Sequence, residues 1–196
     1  MLCLGDSYTI GEAVPQEDSF PFQTVKLLAK KNIIFEEPKI IAKTGWTTDE
    51  LQVAIREANI KGTFDFVTLL IGVNNQYRNR DLGNYKEEFS ALLHQAISFA
   101  NGKPEKVVVL SIPDWGVTPF AEKDERGQEK ISQAIDAFNA VNKQIAKREK
   151  VHYIDITPHS RKAKNDASLI ATDGLHPSGK MYAYWAGKVA EYFQVV

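Results

Sequence analysis

Short apolar runs alternate along this chain with segments in which apolar positions recur every three or four residues. Five runs, at 1–4, 39–42, 66–71, 107–112 and 151–154, are apolar on nearly successive residues, and several are rich in β-branched side chains. Strands of that kind are expected to be buried on both faces, as in a parallel sheet covered by helices on two sides. Between them, Phe22, Val25, Leu28 and Ala29 form one helical stripe, and Leu51, Ala54, Ile55 and Ala58 a second. Tyr85, Phe89, Leu92, Leu93 and Ala96 form a third, Ile131, Ile135, Phe138 and Ile145 a fourth, and Met181, Trp185, Val189 and Tyr192 the last. Thr47 or Thr48 ahead of Asp49-Glu50, and Ser178 ahead of the final stripe, supply start signals.

This alternation predicts a three-layer α/β/α sandwich with parallel strands joined by right-handed crossovers. No repeat, low-complexity tract or linker interrupts it, so residues 1–196 read as a single domain. The longest irregular stretches are 5–18, 72–84, 113–128 and 157–177. The first three follow strands 1, 3 and 4, and the last ends just before the final helix. In open α/β sheets ligands bind beyond the carboxyl ends of strands, so the chemistry is expected in these stretches.

Composition narrows the function classes. With 43% hydrophobic residues, a chain of this size folds to roughly 9,000 Å² of surface and buries about 70% of what the unfolded chain exposes. Lys plus Arg (24) nearly balances Asp plus Glu (25), giving a net charge of −1, which excludes the basic footprint of a nucleic-acid binder. The single cysteine, Cys3, excludes an internal disulfide framework and a cysteine-based zinc cage, and reads as buried packing. No apolar run approaches the roughly 20 residues of a membrane span. No basic-then-apolar leader follows Met1 either, so a cytoplasmic location is expected for the chain as given, with a secreted or periplasmic one if the N-terminus is processed.

Strand 1 runs into Gly5-Asp6-Ser7, which puts a serine at a strand-to-helix turn. A hydroxyl there can project from the sheet edge as a nucleophile, or Asp6 or Ser7 can simply cap the turn. A serine nucleophile needs a base and a group to orient it. Of the four histidines, His94 falls within a helical segment and His152 and His159 lie in or just after the last strand. His176 instead stands in Thr172-Asp173-Gly174-Leu175-His176-Pro177, where a single turn can aim Asp173 at one ring nitrogen. Donors for a developing oxyanion are available at Gly45, after strand 2, and in the Asn74 amide, after strand 3, although Gly and Asn are also common turn formers.

Taken in chain order, Gly-Asp-Ser after strand 1, glycine after strand 2, Gly72-x-Asn74 after strand 3 and Asp173-x-x-His176 before the last helix resemble the SGNH hydrolase family, the GDSL-type esterases and lipases. The resemblance extends from Leu4 through the C-terminal helix. It implies a flavodoxin-like fold with about five parallel strands, Ser7 as nucleophile, His176 as base and Asp173 as its partner. It also implies an oxyanion hole of the Ser7 and Gly45 N–H groups and the Asn74 amide, with no metal or organic cofactor. The sequence departs from the family where Asn75 replaces the usual aspartate, which removes a carboxylate expected to brace the loop. Ser7-Tyr8-Thr9 also stands in place of the leucine that follows serine in the family motif.

The expected activity is hydrolysis of small, short-chain carboxylic esters through an acyl-enzyme. A thioesterase, lysophospholipase or O-acyltransferase would use the same site, and a non-catalytic carbohydrate-binding module is the reading from another class. The partner is then a small-molecule ester, an acylated carbohydrate or lipid, with oligomeric state open. Tyr8, Trp46, Asn75 and Trp115 are candidate substrate-binding residues, and Tyr77 and Phe120 share their loops. The aromatics can stack on a sugar, line an acyl pocket, or merely cover the sheet edge. Arg78 and Arg80 can meet an anionic substrate or remain solvated.

Overall fold

The computed structural model describes residues 1–196. Five parallel strands form one sheet: β1 (Leu2–Asp6), β2 (Lys39–Lys43), β3 (Val67–Leu70), β4 (Val107–Leu110) and β5 (His152–Ile154), in the order β2-β1-β3-β4-β5. The helices are α1 (Ser7–Ile10), α2 (Phe20–Ala29), α3 (Thr48–Glu57), α4 (Val73–Tyr77), α5 (Leu82–Phe99), α6 (Gln128–Arg148), α7 (Thr157–Ser160) and α8 (Gly179–Phe193). Helices α2 and α8 pack together, while α3, α5 and α6 pack in a row. Because β2 lies on one side of β1 and all later strands on the other, right-handed crossovers place those two sets on opposite faces. The chain order reverses between β1 and β3, the switch point at which open α/β sheets form their crevice.

Strands β1, β3 and β4 are buried at every position, as their apolar runs predict. The edge strands differ. In β2, Lys39 and Lys43 are exposed and only Ile41 is fully buried, and in β5 only Ile154 is. An edge strand is covered less completely, and its lysines discourage pairing with another sheet. β1 is also longer than its apolar run, because Gly5 and Asp6 continue the ladder opposite Ala42 and Lys43.

Buried apolar residues from every layer form one continuous core, within a total surface of 9376 Å². The expected stripe of α5 is buried at all five positions, and those of α6 and α8 are buried except for Tyr192, which is partly exposed. In α2 the buried face is Phe20, Pro21, Thr24 and Leu28, so of the expected stripe only Leu28 is fully buried, while Phe22 and Val25 are half-buried and Ala29 is exposed. Thr24 can occupy that face because its hydroxyl donates to the Phe20 carbonyl at 2.7 Å. In α3, Leu51 and Ile55 are buried while Ala58 is exposed. The stretches expected to be irregular contain α1, α4 and α7, single turns too short for a periodic signal. No helix is long and apolar enough to cross a membrane.

Candidate active site

Ser7 is the first residue of α1 and follows β1 without a spacer. This abrupt turn depends on Gly5, where a Cβ would stand 2.1 Å from Thr9 Oγ1 and 2.3 Å from the Leu70 carbonyl oxygen. Asp6 caps α1 by accepting a hydrogen bond from the Tyr8 N–H at 3.0 Å. Its second oxygen, Oδ2, is buried without a partner. Burial pushes the Asp6 carboxyl up to about 7, against the lowering effect of that backbone bond.

The candidate base, His176, and its candidate partner, Asp173, lie in the turn before α8. Asp173 Oδ2 lies 2.6 Å from His176 Nδ1, and Asp173 Oδ1 accepts from the backbone N–H groups of Leu175 and His176, each at 3.0 Å. Burial acts to raise the Asp173 pKa, but the His176 ring and the two backbone donors outweigh it and hold the carboxyl below its usual range. The turn is pinned from outside: the Ala171 N–H donates to the His176 carbonyl at 2.7 Å, and the Phe120 N–H to the Gly174 carbonyl at 3.1 Å. Tyr8 packs edge-on to His176, with ring centroids 5.6 Å apart. Ser7 and His176 line the same cavity without a hydrogen bond between them. Such contacts are commonly loose until substrate is in place.

On the far side of Ser7 the turn after β2 is held by α4. Gly45 sits at φ +88°, a left-handed conformation that favours glycine, and its N–H makes no backbone hydrogen bond. The Asn74 amide donates to the Trp46 carbonyl at 2.9 Å, and Arg78 Nη2 donates to the Gly45 carbonyl at 2.6 Å. Arg78 also pairs with Glu50 at 3.3 Å while its side chain remains exposed to solvent. Glu50 in turn closes the capping box of α3 on Thr47.

Ser7, Gly45, Asn74 and His176 therefore meet around one cavity of about 180 Å³. Its walls are predominantly apolar: Tyr8 beside the serine, Val73 and Tyr77 from α4, and Trp115, Phe120 and Leu175 from the later loops. Trp115 is buried and its indole N–H donates to Gln76 Oε1 at 2.8 Å, whereas Tyr77 and Phe120 stand partly exposed.

Two expected substrate-binding residues lie elsewhere. The Trp46 ring is not part of the cavity wall but packs against the core, with only its carbonyl engaged by Asn74. Asn75 is 1% exposed, its Oδ1 accepting from the Thr48 N–H at 3.1 Å and its Nδ2 donating to Thr48 Oγ1 at 2.7 Å. The expectation that Asn75 leaves the loop unbraced is corrected as well, because the amide itself ties α4 to the start of α3. Val73, Gln76, Leu175 and the Arg78 contact carry no sequence signal, since each depends on pairing across distant segments.

Comparison with curated protein sequences finds no match. A family model described as the GDSL-like Lipase/Acylhydrolase family matches residues 3–184. Among solved structures, the chain is similar to a member of the lipolytic protein G-D-S-L family from Veillonella parvula DSM 2008, at 19% identity and TM-score 0.69, covering 100% of this chain and 98% of that one. It is similar to the lipase/acylhydrolase from Enterococcus faecalis at 19% identity and TM-score 0.73, covering 99% and 94%. Axe2, an acetylxylan esterase from Geobacillus stearothermophilus, aligns at 19% identity and TM-score 0.66, covering 99% and 91%.

Proposed function

Because the chain belongs to the GDSL-like lipase/acylhydrolase family, we propose that residues 1–196 form one catalytic domain that hydrolyses short-chain carboxylic esters through an acyl-enzyme on Ser7. The observation that carries this reading is the convergence of Ser7, His176, Gly45 and Asn74 on one cavity, with Asp173 bonded to the histidine at 2.6 Å.

Ser7 Oγ attacks the ester carbonyl carbon as His176 Nε2 takes the hydroxyl proton, and the carbonyl π electrons move onto oxygen. Asp173 holds the Nδ1 proton and stabilises the imidazolium. The oxyanion settles against the Ser7 and Gly45 N–H groups and the second hydrogen of the Asn74 amide, whose first is held by Trp46. Losing one such donor slows catalysis by about 10²- to 10³-fold. Collapse breaks the ester C–O bond, and His176 returns the proton to the leaving alcohol. Water then repeats the sequence on the acyl-enzyme and regenerates Ser7.

The size and character of the cavity support a short acyl group. Its volume of about 180 Å³ falls below the roughly 300 Å³ at which drug-sized ligand sites begin. Its aromatic and aliphatic walls suit an alkyl chain. A p-nitrophenyl ester series from acetyl to decanoyl tests this, with kcat/KM expected to peak by butyryl and fall steadily beyond it. A profile that keeps rising to decanoyl contradicts the short-chain assignment.

A further inference from the structure

We infer that Arg78 is a positioning residue for the oxyanion hole, acting through the Gly45 turn rather than on substrate. The inference rests on the esterase reading above. Asn74 and Arg78 are four residues apart on α4 and its C-terminal cap, and therefore on one face. Together they bond two successive carbonyls of the turn after β2: Arg78 Nη2 to that of Gly45 at 2.6 Å, and Asn74 Nδ2 to that of Trp46 at 2.9 Å. The Gly45 and Asn74 donors are thus tied to each other, although they stand on separate segments after β2 and β3.

Glycine at φ +88° has wide conformational freedom, so something outside the backbone has to select this conformation. The Trp46 N–H closes the turn onto the Lys43 carbonyl at 3.2 Å, a long bond. The Arg78 contact is shorter and charge-assisted. Glu50 fixes the other side of the guanidinium at 3.3 Å and is itself anchored by the Thr47 N–H at 2.8 Å. Arg78 does not line the cavity, and its guanidinium is engaged by the Gly45 carbonyl and Glu50. Its effect is to set where the Gly45 N–H points, and misplacing a catalytic group by about 1 Å can lower rate about 100-fold.

The test compares wild type, Arg78→Ala and Arg78→Lys on p-nitrophenyl acetate, with circular dichroism and thermal melts on each. Arg78→Ala is expected to lose about 10- to 100-fold in kcat with KM within about threefold of wild type, because the lost interaction is made in the transition state. Arg78→Lys, which keeps a charge but not the two-sided fork, should fall between them. Millimolar guanidinium should restore part of the Arg78→Ala rate and leave wild type unchanged. If Arg78→Ala does not fold, the Lys variant carries the same split between kcat and KM. An active wild type with kcat unchanged in folded variants overturns the inference while leaving the esterase reading intact. A wild type that hydrolyses no ester overturns both.

Discussion

Asp173 grips His176 twice, its Oδ2 lying 2.6 Å from the ring Nδ1 and its Oδ1 taking the His176 backbone N–H at 3.0 Å. One carboxylate therefore sets both the course of the turn and the orientation of the ring. Asp173→Asn can preserve an acceptor for the backbone donors while presenting an amide to Nδ1, which favours the wrong tautomer. Its kcat is expected to fall on the order of 10⁴-fold, with an unfolding midpoint close to wild type. Steady-state kinetics and a thermal melt on the same preparation check this. A loss under tenfold would remove Asp173 from the role given to it.

Asn75 predicts an outcome opposite to what its family position suggests. It donates to Thr48 Oγ1, and Thr48 Oγ1 donates onward to Glu88 Oε2, so the chain of donors runs in one direction. An aspartate at 75 cannot donate there when ionised, and it sets a second carboxylate into a buried chain that already ends on one. Asn75→Asp is expected to lower stability by about 1–3 kcal/mol, measured by urea unfolding. Because Asn75 does not face the cavity, kcat should stay within a few-fold of wild type.

Asp6 predicts a pH-dependent stability. Its carboxyl is raised from 3.8 to about 7 by burial, so the fold favours the protonated form. The stability that this proton linkage contributes is complete below pH 4 and is lost as the pH climbs to about 7, a swing of about 4 kcal/mol. Asn at position 6 keeps the acceptor for the Tyr8 N–H and does not titrate. The stability of Asp6→Asn relative to wild type should therefore rise between pH 4 and pH 7 and level off above it. A difference that is flat across that range contradicts the burial argument.

The legible parts of the sequence were those in which local pattern and tertiary environment agree. Strands β1, β3 and β4 are apolar on both faces because they lie inside the sheet, and their runs show it directly. The motif residues Ser7, Gly45, Asn74 and His176 stand at strand or loop ends and line one crevice, a placement that the motif spacing anticipates. Polar residues in the core were not. Asn139 lies in the buried stripe of α6 because it bonds both the N–H and the carbonyl of Ile112, at 2.7 and 2.9 Å, just beyond the end of β4. Asn142 lies there because it accepts from the Tyr85 hydroxyl at 2.7 Å. Trp46 and Asn75 stay out of the cavity wall for a related reason: the sequence puts both on loops beside the site, but the direction of a side chain depends on partners such as Thr48 that no local pattern reveals.

Ester hydrolysis by the proposed route requires Ser7 as an activated nucleophile, and covalent labelling tests that most directly. Wild type and Ser7→Ala are treated with a serine-reactive alkyl phosphonate, digested, and analysed by peptide mass spectrometry, with p-nitrophenyl acetate turnover followed in parallel. The expected result is one adduct, on Ser7, whose appearance tracks loss of turnover, with neither adduct nor turnover in Ser7→Ala. An unlabelled Ser7, or a Ser7→Ala variant that still hydrolyses the ester at the wild-type rate, contradicts the account.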